Sequence, residues 1–258
     1  MLIDTHCHLD PQYFPDGPDA ALERARAVGV DTFVGIGVGP DLSAARNVVE
    51  VAARRQDVFA AVGVHPHDAG GLDDAMAREV EALAAHPRVV AIGEIGLDYH
   101  YNRSEPDVQR AAFRRLIAIA RRLDRPIVIH TREAPEDTLA ILEQEGARDV
   151  GGIIHCFSED LAFAKRALDL DFDLSFSGIV TFKTSRSVQE VAAWAPPDRI
   201  LVETDSPYLA PVPLRGKPCE PSYIVHTARR VAELRGETFE ELARRTSENA
   251  RRRFRLPR

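Results

Sequence analysis

Val89-Val90-Ala91-Ile92-Gly93-Glu94-Ile95 is a run of β-branched and small apolar residues interrupted once, by a carboxylate. It does not alternate apolar with polar residues, as a strand with one solvated face would. Near-continuous apolar character is the pattern of a parallel strand covered on both faces. A Glu inside such a run is costly to bury without a partner, so the same stretch that marks the fold also marks a candidate site.

Outward from it, the same pattern recurs in Leu2–His6, Thr32–Ile36, Phe59–Val64, Ile127–His130, Gly152–His155, Phe172–Phe176 and Ile200–Glu203. Each run is followed by a helix-like stretch rich in Ala, Leu, Arg and Glu. Ser104–Asp107 resembles an N-cap with a carboxylate three residues on. It leads into Phe113, Leu116, Ile117, Ala120 and Leu123, an apolar helical face that stops before Arg125-Pro126. Eight strand signals alternating with helices predict an α/β fold of the TIM (β/α)8 barrel type rather than an open doubly wound sheet. No Pro/Gly/Ser tract divides the chain, so one domain spanning 1–258 is expected.

Composition narrows the function classes. Of 258 residues, 45% are apolar and 28% charged, which excludes disorder and collagen-like repeats. The formal charge of −7 argues against coating nucleic acid through bulk positive charge. Three Cys with no CxxC pair make no disulfide framework and fit a reducing compartment. The N-terminus has no basic region followed by an apolar stretch, and no segment approaches the roughly eighteen apolar residues of a membrane span. The expectation is a cytoplasmic protein without membrane association, a monomer with no obligate protein partner.

Active sites in this architecture sit at the C-terminal ends of the strands. Those ends carry His6-Cys7-His8, His65-Pro66-His67, Glu94, His130, His155 and Glu203-Thr204-Asp205, while Gly35, Gly37, Gly39 and Ser177-Gly178 leave space. His6 and His8 are two apart and share a strand face, with Cys7 on the other. Singly, each has an ordinary explanation: a lone HxH pair is more often not a metal site, and His130 or His155 alone reads equally well as a hydrogen-bonded core residue. Together, four His with buried carboxylates at matching strand ends would cost several kcal/mol per unsatisfied charge. Four imidazoles with Glu94 and Asp205 exceed the needs of one tetrahedral ion and suit two divalent ions, with Glu94 as bridge and Mg²⁺, Mn²⁺ and Zn²⁺ all compatible.

Neighbouring residues divide between roles. Cys7 and Cys156 are expected to be buried and structural, pointing away from the His face. Asp4 reads either as an acceptor for a ligand His or as a polar residue of the barrel floor. His86 and His226 are expected at the surface or in packing, and His100 in a solvated loop. The Arg-rich end, Arg251, Arg252, Arg253 and Arg255, reads as the solvated face of a last helix. Only three of the 33 basic residues are Lys, and two of them, Lys183 and Lys217, fall in loops after strands seven and eight. With Arg132 and Arg103 they suit a phosphate-bearing substrate, although loop cations also serve solubility.

The ordered set Asp4-Thr5-His6-Cys7-His8-Leu9-Asp10, Val64-His65-Pro66-His67, Ile92-Gly93-Glu94-Ile95-Gly96-Leu97-Asp98-Tyr99, His130-Thr131-Arg132, His155-Cys156-Phe157-Ser158, Ser177-Gly178-Ile179-Val180-Thr181-Phe182-Lys183 and Leu201-Val202-Glu203-Thr204-Asp205-Ser206-Pro207-Tyr208-Leu209-Ala210-Pro211 resembles the motif series of the TatD family of metal-dependent deoxyribonucleases. The motifs are modest singly and specific in series. The resemblance implies a TIM-barrel hydrolase related to the amidohydrolases, with 3′→5′ DNase activity and, in some members, action at abasic or damaged sites. It implies one metal on His6, His8, Glu94 and Asp205, another on Glu94, His130 and His155, and substrate contacts from His65, Arg132, Lys183, Arg215 and Lys217. Asp205 would then orient or deprotonate the attacking water, and Glu203 would fix a ligand from behind. Cys219-Glu220-Pro221 replaces the family's usual Asn-Glu-Pro, and Glu159 its usual Gly, which touches the substrate loops and not the ligands. The competing expectations are a hydrolase of the same superfamily acting on a small amide, lactone or phosphotriester, and a nucleic-acid-binding protein without catalysis; the complete ligand set disfavours the latter.

Overall fold

All eight apolar runs are strands: β1 (Leu2–Cys7), β2 (Val30–Gly37), β3 (Val58–Val62), β4 (Val89–Asp98), β5 (Ile127–Arg132), β6 (Gly152–Ile154), β7 (Phe172–Phe176) and β8 (Ile200–Val202). The computed structural model describes residues 1–257. The strands are neighbours in one sheet in chain order, and helices alternate with them: a TIM (β/α)8 barrel. The helices are α1 (Pro18–Ala27), α2 (Ser43–Arg54), α3 (Asp74–Ala84), α4 (Pro106–Arg122), α5 (Pro135–Gln144), α6 (Leu161–Asp169), α7 (Arg186–Trp194), α8 (Ile224–Arg235) and α9 (Phe239–Phe254). Among the described residues no helix is long and apolar enough to cross a membrane.

The chain gathers into two compact units, one of Met1–Gly35, His155–Ala164 and the part from Asp173 onward, the other of Ile36–Ile154 and Lys165–Phe172. In the first, β1 pairs in parallel with β2, and β7 with β8. Its closure is a parallel bridge between Cys7 and Ser206, with the Asp205 amide donating to the His6 carbonyl and the His8 amide to that of Ser206, both at 2.9 Å. Helix α9 lies against β1 and β8 through Leu242, Ala243, Thr246, Ala250 and Phe254, a stripe at helical spacing. Its start is fixed by a capping box: Thr238 Oγ1 accepts from the Glu241 amide, and the Glu241 carboxylate accepts from the Thr238 amide.

In the second unit β3, β4, β5 and β6 pair in parallel, and β4 outruns its expected end by three residues. Gly96, Leu97 and Asp98 pair with His130, Thr131 and Arg132, and closeness there demands glycine: a Cβ on Gly96, at φ +142°, would stand 1.9 Å from the His130 carbonyl oxygen. Strand β3 stops at Val62, before the expected Val64, and a short 3₁₀ turn, Pro66–Gly71, begins at a proline with no N–H to extend a ladder. The expected N-cap at Ser104 is not formed. Helix α4 begins at Pro106 with Glu105 as cap residue, and Ser104 Oγ instead donates to the His67 carbonyl and accepts from the Gly70 amide.

In the Arg-rich end, Arg252 and Arg255 are exposed as expected, but Arg253 departs from the expectation of a solvated face. Asp173 in β7 is wholly buried, and Arg253 grips it with a two-pronged fork, Nε to Oδ2 at 3.0 Å and NH2 to Oδ1 at 2.9 Å. Arg199 and Arg252 donate to the same carboxylate, so it gathers three cations. Removing the carboxylate strands a nearly buried guanidinium, which costs about 3–5 kcal/mol. Asp173→Ala is therefore expected to lower the melting temperature by about 10 °C, since a chain of this size loses about 2–4 °C per kcal/mol. Calorimetry that finds an unchanged melting point would show the Arg cluster to be solvated after all.

Candidate metal centre

In the first unit three donors converge. His6 and His8 face the same side of β1 and its end, and Asp205 follows β8 with φ +56°, an uncommon conformation for a non-glycine residue. His6 Nε2 lies 3.5 Å and His8 Nε2 3.6 Å from the same atom, Asp205 Oδ1. These separations are longer than good N–H···O bonds but close to the roughly 3.0–3.4 Å between two ligands each about 2.1 Å from a shared ion. Burial pushes the Asp205 carboxyl up, but the neighbouring His8 imidazole and the charges of His155 and His6 outweigh it and hold the group below the usual carboxylate range. The donor set therefore fits a divalent cation: two imidazole nitrogens and one ionised carboxylate within a ligand's span of each other.

The support behind these donors is built from β1, β7 and β8. Asp4, fully buried, accepts from Thr204 Oγ1 at 2.6 Å, the Thr204 amide at 3.0 Å and the His6 amide at 3.3 Å. It thus ties β1 to the segment carrying Asp205 rather than reaching a ligand ring, which decides between the two expected roles. Burial pushes its carboxyl up to about 8, against those same hydrogen bonds. Cys7 Sγ points to the Val34 carbonyl at 3.7 Å, away from the His face as alternation requires. Cys156 Sγ meets Ser177 Oγ at 3.1 Å, and burial pushes its thiol up, so it is poorly suited to act as a thiolate ligand.

His155 and Glu203 each stand one residue beyond their strands, where both had been expected as terminal strand residues. Glu203 is wholly buried and receives the Cys156 amide at 2.7 Å, the Ser175 hydroxyl and His155 Nδ1–H at 2.9 Å. Because its oxygens act as acceptors, the proton of His155 is set on Nδ1 and the lone pair on Nε2, the tautomer a metal ligand needs. The His155 ring stacks on that of His6, centroids 3.7 Å apart and nearly parallel.

The second unit holds another cluster. Glu94, 3% exposed in β4, has its Oε1 2.9 Å from His130 Nδ1 and 3.5 Å from His65 Nε2. Behind His130 lies Asp98, whose Oδ2 accepts from His130 Nε2 and from His67 Nε2, each at 3.1 Å. Burial raises the Asp98 carboxyl, but hydrogen bonds from His130 and the Tyr101 amide, with the imidazole charges, hold it well below the usual range. An ionised Asp98 places the His130 proton on Nε2 and turns the Nδ1 lone pair toward Glu94. Two acceptors so close need a proton or cation between them, and a divalent ion meets that need.

His65, expected among the substrate residues, sits within ligand distance of the same cluster. Its hydrogen bonds set which ring nitrogen carries the proton. Nδ1 accepts from the His67 amide at 3.1 Å, and burial pushes the imidazole down to about 4, so the neutral ring carries its proton on Nε2. That nitrogen is a donor toward the cluster and suits an anionic substrate oxygen.

Among the expected substrate residues, Arg132, Lys183, Arg215 and Lys217 are exposed. Arg215 lies over the Phe182 ring at 3.8 Å and Arg132 over Tyr101 at 4.8 Å. His86 and His226 are half-buried, and the exposed His100 pairs with Glu133 at 2.6 Å. Sequence reading placed His67 at a strand end without giving it a role, and missed Asp98 as a member of the site. The signal was present: Asp98 is four residues beyond Glu94, on the same face once the strand extends that far. Gln109 of α4 fastens that extension, accepting from the Asp98 amide at 2.8 Å and donating to its carbonyl at 3.0 Å.

A model of the TatD related DNases matches residues 3–255. The chain is similar to the Bacillus subtilis protein named uncharacterized metal-dependent hydrolase YabD, 44% identical over 257 residues, covering 99% of this chain and 100% of that one. It is similar at 33% over 255 residues, 97% and 96% of the two chains, to the Klebsiella pneumoniae protein named 3′-5′ ssDNA/RNA exonuclease TatD. In three dimensions it resembles YjjV, a TatD homologue from Escherichia coli, with a TM-score of 0.91, 27% identity and coverage of 99% and 98%.

Proposed function

From the premise that the chain belongs to the TatD related DNase family and is a metal-dependent hydrolase, we propose that it hydrolyses phosphodiester bonds of single-stranded DNA from the 3′ end. The observation that carries this reading is the donor set, imidazole and carboxylate without thiolate, in one buried and one half-buried cluster at strand ends. The name of the Klebsiella relative supports a nucleic-acid substrate.

In this reading the protein uses two divalent ions, Mg²⁺, Mn²⁺ or Zn²⁺, one held by His6, His8 and Asp205 and one by Glu94 and His130, with His155 as a further imidazole donor. Bound there, such ions neutralise phosphate charge and make water a better nucleophile near neutral pH. The chain's own residues do the rest. Asp205, kept ionised by its imidazole neighbours, orients the attacking water and accepts its proton. His65 donates Nε2–H to a phosphate oxygen, and Arg132, Lys183, Arg215 and Lys217 hold the strand's phosphates. Glu203 and Asp98 keep His155 and His130 in the tautomers that present a lone pair. Phosphorus gains the water oxygen and releases the 3′ oxygen of the preceding nucleotide, which leaves with a proton from solvent.

The test is purified protein on 5′-labelled single-stranded DNA, stripped with EDTA and resupplied with Mg²⁺, Mn²⁺ or Zn²⁺. A ladder of progressively shortened labelled strands is expected with at least one ion and none with EDTA. Absence of metal-dependent cleavage with all three would sink the reading and direct attention to small amides, lactones and phosphotriesters.

A further inference from the structure

Tyr101 follows β4 in the connection to α4 and is 53% exposed, an unusual disposition for a large ring beside a buried cluster. It is nevertheless firmly held. Its amide donates to Asp98 Oδ1 at 2.8 Å, and the rings of His67 and His100 meet it edge to face, centroids 5.5 Å and 4.8 Å away. Two exposed guanidinium groups attend the ring, Arg132 at 4.8 Å and Arg103 at 5.6 Å from its centroid. His67 connects it to the cluster: the same imidazole donates to Asp98, and its centroid is 4.3 Å from that of His65.

Core packing does not account for this arrangement, because the residue is half exposed and its ring partners include two exposed guanidinium groups. An oriented aromatic face, two flanking cations and a donor one imidazole away are the parts from which grooves for single-stranded nucleic acid are built: bases stack on the ring and cations follow the backbone. We propose that Tyr101 is a base-stacking residue, receiving the nucleobase next to the scissile phosphate while Arg103 and Arg132 take the neighbouring backbone phosphates. The proposal rests on the nuclease reading above and deepens it. Every base has a π-face, so binding depends on bases being present and little on which they are.

The experiment compares two 5′-labelled oligomers of equal length, oligo(dT) and one whose sugars carry no bases. Wild type, Tyr101→Ala and Tyr101→Phe are each assayed with the activating ion. The wild-type KM for the base-free oligomer is expected to be about tenfold above that for oligo(dT), the scale of one stacking contact. Tyr101→Ala brings the ratio close to one and Tyr101→Phe keeps it. Circular dichroism confirms that both variants are folded. A ratio retained in Tyr101→Ala, or already near one in wild type, overturns stacking while cleavage of oligo(dT) leaves the nuclease reading standing. If wild type cuts neither oligomer, the nuclease reading itself fails and this inference goes with it.

Discussion

Asp205→Asn is expected to reduce hydrolysis of single-stranded DNA by about 10³-fold or more while leaving the protein folded, because the substitution removes a metal ligand and a base together. Asn keeps the shape of the side chain and its one acceptor oxygen, so it still occupies the point on which His6 Nε2 and His8 Nε2 converge at 3.5 and 3.6 Å. The negative charge is lost, and with it both the electrostatic hold on a cation and the capacity to accept a proton at neutral pH. Metal analysis of the purified variant should show less bound ion than wild type. In metal-free protein the melting temperature should fall, since the imidazole contacts that hold the carboxylate ionised outweigh its burial cost and are lost with the charge. A variant that cuts DNA at the wild-type rate would remove Asp205 from the mechanism, whatever its metal content.

The strands were legible because burial on both faces writes itself into sequence as runs of near-continuous apolar character, as in Ile127–Ile129; Phe172–Phe176, which carries Asp173 and Ser175, is nevertheless a strand over the very residues expected. His6, His8 and Asp205 were legible for a related reason. Once strand ends are located, a chain in this architecture brings them to one rim, and the period of two fixes which side chains share a face. What escaped was set by tertiary pairing. The extension of β4 to Asp98 depends on Gly96 meeting His130 across the sheet, a fit no local pattern encodes, and with it went the Asp98–His67–His130 hydrogen bonds. Ser104 has the right residue type for a cap but finds the His67 carbonyl, while Pro106 sets the helix start. Arg253 looked solvated because its neighbours in sequence are Arg, whereas its partner, Asp173, lies 80 residues away. Which nitrogen of His65 faces the cluster with a proton is likewise decided by hydrogen bonds that only coordinates reveal.

Glu94→Gln and Glu94→Ala together separate charge from packing at the second cluster. Gln preserves the volume of a side chain that is 3% exposed and can still meet His65 and His130, but it cannot offer an ionised oxygen to a cation. Both variants are therefore expected to lose about 10³-fold or more in DNA hydrolysis and to bind less metal than wild type. They should differ in stability: Ala removes the side chain that meets His65 and His130 and leaves a cavity there, which Gln still fills. Gln should leave the metal-free protein at least as stable as wild type, because a desolvated carboxylate is retained for function and not for folding. The diagnostic measurement is a thermal-shift titration with Mn²⁺ or Zn²⁺. Wild type should rise with added ion, since a ligand that binds only the folded state stabilises it, and Glu94→Gln should rise much less. A full metal-induced rise in Glu94→Gln combined with lost hydrolysis would make Glu94 a substrate-facing group rather than a ligand. Retained hydrolysis would remove the second cluster from the reaction altogether.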